Sequence, residues 1–158
     1  MSNETEVTTM KPEARVLAFT VAEPFDVALR MLRRAIATEG LRVPCEFDTA
    51  ARVKQELGVE LRRNVVLYVD DPIRLLEATV INPAGGLFRP EPVVLSSADQ
   101  RSCRVSVRSI EPLFSSHLPA SLKEAAANLH ERILAAVQRI GHKQTAATEM
   151  IGRIAVPA

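Results

Sequence analysis

Two apolar stripes at helical spacing lie far apart in the chain, and the segments between them change to the two-residue period of strands. Phe25, Leu29, Leu32 and Ile36 recur at i, i+4, i+7 and i+11. Leu122, Ala126, Leu129, Ile133, Val137 and Ile140 form a longer stripe, running over about five turns. Each stripe makes a helix with one apolar face, which needs an apolar surface to lie on. The strands between them supply that surface. The chain is therefore expected to fold as an α+β two-layer sandwich, with about five mostly antiparallel strands and both long helices on one face.

The intervening segments set the order β-α-β-(short α)-β-(short α)-β-β-α. A first strand covers about residues 15–21, and Pro24 opens the helix that Gly40 stops. Leu41 to Phe47 alternates, which puts Leu41, Val43, Cys45 and Phe47 on one side. Pro44 inside that run marks an edge strand or a bulge, because it cannot donate to a ladder. Asp48 caps a short helix ended by Gly58, and Asp71-Pro72 opens a second one running to about Ile81. Asn64 to Val69 does not alternate, so it reads as a central strand covered on both sides. Two more strands, about 92–97 and 102–110, flank the polar turn Ala98 to Arg101. Ser121 and Glu124 have capping-box spacing at the start of the last helix. Residues 1–12 read as a disordered lead-in, 13–141 as a single domain and 142–158 as a tail. No internal repeat and no low-complexity tract occurs.

Composition excludes several function classes. The chain has 158 residues, with 20 Lys+Arg against 19 Asp+Glu, so it lacks the basic footprint of a general nucleic-acid binder. Five Phe, one Tyr and no Trp leave little for base stacking. No apolar run approaches the roughly 20 residues of a membrane span. The polar, acidic start carries no export signal, and Cys45 and Cys103 lie 58 positions apart, which suits reduced thiols in the cytoplasm.

No catalytic or metal-ligating set assembles from the sequence. Cys45 and Cys103 share strand faces with apolar residues and read as core thiols, without a basic neighbour to lower their pKa. His117, His130 and His142 have no ligand spacing, and His130 reads as lying off the last helix's apolar stripe. Asp71 is more simply an N-cap than half of an acid/base pair with Asp70. Gly85-Gly86 lacks the Lys-Ser/Thr of a phosphate loop. Arg30, Arg33 and Arg34, like Arg104 and Arg108, read as solvated faces open to an acidic partner. No metal and no cofactor is expected.

With these segments placed, the chain resembles the domain of unknown function family 302. The resemblance is carried by the helix from Phe25-Asp26-Val27-Ala28 to Gly40-Leu41, by Glu46-Phe47-Asp48, and by Glu56-Leu57-Gly58-Val59. Val69-Asp70-Asp71-Pro72 and the run from Asn82-Pro83-Ala84-Gly85-Gly86 to Val94-Leu95 complete it, so that it covers roughly residues 14–140. It implies a small α/β domain with a topology similar to half of the TATA-binding protein, often dimeric and without an assigned activity. Many members carry cysteines where this chain has Asp70 and Glu91, so it lacks that pair of thiols. The resemblance is densest around Asp71, Gly86 and Pro90, which mark a candidate ligand site. Read locally, the same residues are an N-cap, a turn and a strand start.

Two functional readings are open. The first is a non-enzymatic, homodimeric binding or interaction module. Strands one and three are apolar on both sides, and a second copy is the expected cover for the face the helices leave open. A tail from Thr145 to Val156 folding back is the alternative cover. The second reading is an accessory thiol or sulfur carrier, or an enzyme, in sulfur or redox metabolism, using Cys45 or Cys103.

Overall fold

The computed structural model describes residues 16–84, 90–110 and 117–144. Its elements run β1 (Val16–Val21), α1 (Phe25–Thr38), β2 (Arg42–Asp48), α2 (Thr49–Leu57), β3 (Asn64–Asp70), α3 (Pro72–Ile81), β4 (Glu91–Ser97), β5 (Cys103–Arg108), α4 (Ala120–Ile140) and β6 (His142–Lys143). The strands form one antiparallel sheet in the order β2-β3-β4-β5-β1-β6. This is the expected two-layer α+β arrangement, with six strands instead of five.

The core lies between the sheet and the two long helices. Phe19, Val21, Val65, Leu67, Val69, Val93, Leu95, Val105 and Val107 alternate onto one face of the sheet. Leu29, Leu32 and Ile36 of α1 pack on that face beside Leu129, Ile133 and Val137 of α4. The apolar periodicity and the burial coincide because a stripe spaced at 3.6 residues can reach only one side of the sheet. Arg63 fastens the segment before β3 onto α1: its guanidinium lies 4.3 Å above the Phe25 ring and donates to Asp26 Oδ1 at 2.8 Å.

Among the described residues, the opposite face is left open. Its side chains come in rows fixed by strand register, one of which is Phe47, Val66, Val94, Ser106 and Ala18. Val66 and Tyr68 of β3 are half-buried there, in place of the full cover the sequence suggests. The β2-β3-β4 half is mostly apolar, and the β5-β1 half carries Arg104, Ser106 and Thr20.

Three local expectations change. In β2, pairing shifts register between Arg42 and Cys45, across Pro44. A bulge adds one residue and turns the later residues of the strand to the other side. Leu41 therefore stays in the core, while Cys45 and Phe47 pair with Tyr68 and Val66 on the open face, and Cys45 is exposed. Glu46 turns to the helix side instead, where Arg33 donates to its two oxygens at 2.6 Å each. Pro44 thus marks both an edge strand and a register shift.

At the start of α4 the Ser121–Glu124 capping box does not form. The helix begins at Ala120 after Pro119, whose carbonyl accepts from Leu122 and Lys123 N–H at 3.0 and 3.2 Å. Proline at that position has already set the entry φ, so Ser121 falls inside the first turn. The third change is β6. After Gly141 the chain pairs His142 and Lys143 with Thr20 and Phe19, and Gln144 N donates to the Ala18 carbonyl at 2.9 Å. Two residues are too few to show alternation in sequence. The expected disordered lead-in, Gly86, and the tail from residue 145 lie outside the described residues.

Candidate functional site

The charged residues with the lowest exposure gather where β3 ends, β4 begins and β5 ends, beside the middle of α4. Asp71 sits at the N-cap of α3, as its place before Pro72 predicts. One of its carboxylate oxygens accepts from Ile73 N at 3.0 Å. The other accepts from Arg132 Nη1 at 2.5 Å, and Arg132 Nη2 donates to the Glu39 carbonyl at 2.6 Å. Arg132 therefore ties α3 to α4 and to the end of α1. Burial pushes the Asp71 carboxyl upward, but the Arg132 guanidinium and the Ile73 and Arg74 backbone N–H groups together hold it below the usual carboxylate range. Gly40, at φ +73°, leaves room for this link: a Cβ there would lie 3.2 Å from Arg132 Nη2.

Next to it is a second group that sequence reasoning did not assemble. Glu91 opens β4 only 4% exposed. Arg108, at the end of β5, forks its carboxylate, with Nε to Oε1 at 2.7 Å and Nη2 to Oε2 at 3.0 Å. That pairing raises the Arg108 pKa. His130 of α4 is 6% exposed, and its Nδ1 has no hydrogen-bond partner among the described residues. Burial pushes the imidazole below its usual pKa. The Glu91 and Glu131 charges pull it up, and the Arg108 charge pushes it down.

The expectation that His130 lies off the apolar stripe is corrected. It stands three and seven positions before Ile133 and Val137, both core residues, and that spacing was the available signal. A neutral imidazole beside a closed ion pair can hold or share a proton. No nucleophile is placed against it among the described residues.

The remaining candidates are scattered. Pro90 is half-buried just before β4, close in sequence to Glu91, and Asp70 is buried at the end of β3. Gly86 belongs to the connection outside the described residues. His117 and His142 are exposed, and no group of His, Cys, Asp or Glu that could hold a metal occurs among the described residues. Cys103 is buried as expected, its Sγ 3.4 Å from the Glu23 carbonyl, and burial together with the Asp99 charge pushes its pKa up. Such a thiol stays protonated at neutral pH. Cys45 is the accessible one. Within the basic groupings, Arg33 pairs with Glu46 and Arg108 with Glu91. No described helix is long and apolar enough to cross a membrane.

Comparison with solved structures shows the same fold in the "uncharacterized conserved protein DUF302" of Bacillus stearothermophilus. It is 21% identical, with a TM-score of 0.69, over 79% of this chain and 97% of that one. No match is found among curated proteins. The family whose sequence pattern matches residues 17–140 is described as Domain of unknown function DUF302. With nearly the whole described domain inside that match, the chain belongs to the DUF302 family.

Proposed function

We propose that this protein is a homodimeric interaction module that works by binding. The observation that carries the reading is the apolar half of the open sheet face. Phe47, 43% exposed, stands in a row with Val66 and Val94, beside Tyr68 and Pro92. A patch of this kind is a recurrent mark of an interface, and a second copy related by a two-fold axis is the commonest cover. At about 25 cal/mol per Å², a few hundred Å² of apolar burial per subunit supports association at micromolar concentration after the entropic cost. Within this reading the chain works in the cytoplasm, with both thiols reduced, and binds neither nucleic acid nor membrane. The ligand site it carries over from the sequence is Asp71, Gly86 and Pro90, of which Gly86 lies outside the described residues.

Light scattering tests the dimer. The full chain at micromolar concentration should give twice 17.3 kDa, and the double variant Val66→Glu/Val94→Glu should return it to 17.3 kDa with the fold intact. A wild-type mass of 17.3 kDa, or a variant that stays dimeric, overturns this interface.

The exposure of Cys45 favours a second reading, the accessory thiol carrier, from which burial removes Cys103. One titration separates the two. Dimerisation through the open face should slow Cys45 labelling as protein concentration rises. A carrier thiol should instead label faster than free cysteine at pH 7, whatever the concentration.

A further inference from the structure

Helix α3 turns its apolar side away from the body. Ile73, Leu76 and Val80 are 68%, 65% and 76% exposed, while the one buried residue of the helix is Ala78. At about 100° per residue the three exposed side chains fall within roughly 60° of one another, opposite the side that carries Leu75 and Ala78. Ordinary surface helices have the reverse arrangement. On the adjoining flank, α3 and α4 leave a groove of about 440 Å³. Its apolar residues include Ala78, Leu122 and Ala125, and its acids are Glu77, Glu124 and Glu131. Arg74 is the cation among its lining residues and already pairs with Glu77 at 2.9 Å, so three carboxylates against one guanidinium leave a net −2. Ile81, 48% exposed, lines the groove too and joins it to the stripe.

We propose that this stripe and groove form a docking surface for a cationic amphipathic helix of a partner protein. From Ile73 to Val80 the stripe spans about two turns, the length read by anchors at i, i+3 or i+4, and i+7 in helix-in-groove recognition. The acidic groove selects the sign of the flanking charge. A second copy fits poorly, because a two-fold contact would set the glutamates against their own equivalents. The stripe also offers only on the order of a few hundred Å², against the roughly 800 Å² per partner of a stable interface. An anionic lipid surface would meet the same repulsion. The surface is separate from the open sheet face, so it stands whether or not the chain dimerises there.

The probe is a fluorescein-labelled synthetic helix of about four turns, with leucines at i, i+3 and i+7 and flanking lysines. Its anisotropy is titrated with the full-length protein. Saturable micromolar binding is expected, weakened about tenfold when the lysines are replaced by glutamates. Glu124→Lys/Glu131→Lys should reverse that preference, and Leu76→Asp should weaken both peptides. All three positions are exposed, so circular dichroism should be unchanged. Val66→Glu/Val94→Glu, which tests the dimer, should bind the peptide normally. Absence of binding, or binding indifferent to these substitutions, overturns the proposal. A halved mass in Leu76→Asp assigns the stripe to a second copy instead. Flotation of the protein with phosphatidylglycerol vesicles, abolished by Leu76→Asp, assigns it to a membrane. Either of those results also overturns it.

Discussion

Removing Arg108 tests the strand-end cluster most severely. In Arg108→Gln the Glu91 carboxylate keeps its 4% exposure but loses both forked hydrogen bonds, of 2.7 and 3.0 Å. Breaking a fully buried pair from one side costs about 3–5 kcal/mol, whereas an exposed pair is worth about 0–1. Arg108 is 45% exposed, so water softens the loss on its side, and the expected cost is about 2 kcal/mol. Urea unfolding of wild type and Arg108→Gln at pH 7 measures the loss. Adding Glu91→Gln should recover more than half of the loss at pH 7, since it removes the stranded charge. A deficit under about 0.5 kcal/mol would mean that Glu91 is solvated and the cluster is not a closed pair.

Three further outcomes rest on the same geometry. Asp71→Ala removes a cap and the Arg132 bond together and should cost about 2 kcal/mol by urea unfolding. Because the folded Asp71 pKa is lowered, that contribution is complete above the ordinary value of 3.8 and disappears as pH falls through the folded value, so the variant and wild type should converge in strong acid. His130 has a lowered folded pKa, so as pH drops below 6.5 the unfolded chain gains a proton that the folded one refuses. Thermal melts should lose stability there with a slope of up to about 1.4 kcal/mol per pH unit, and His130→Leu should remove that part of the slope. Gly141→Ala places a Cβ 2.9 Å from the Thr20 carbonyl oxygen, so β6 must shift, and amide exchange at Gln144 should accelerate while that of β3 does not.

The α1 and α4 stripes were legible because helical periodicity depends only on which residues are apolar, and a one-sided stripe has one way to be buried. Asp48 and Asp71 were legible as caps because the hydrogen bond from a cap to the following N–H groups is local. Their carboxylates accept from Ala51 N at 2.9 Å and Ile73 N at 3.0 Å. Cys45 was not legible. Pro44 announces an irregularity, but whether it shifts register before or after the cysteine depends on where β3 offers partners. The capping box at Ser121 failed for a related reason: two local signals competed, and the proline one residue before the helix prevailed.

Much of what depends on neighbours along the chain could thus be read from residue order: the succession of elements up to α4, the two layers, the antiparallel hairpin at Ala98–Arg101 and the caps at Asp48 and Asp71. Contacts between residues far apart in sequence could not. Glu91, Arg108 and His130 come from β4, β5 and α4, and Asp71 meets Arg132 across 61 positions. The outward side of α3 belongs to the same class. Its sequence is a plausible amphipathic helix, and which side meets the body is set by the docking of Ala78 near α4 and the tether at Asp71. Periodicity says that a helix has two faces; only the packing of the layers chooses which of them is left in water.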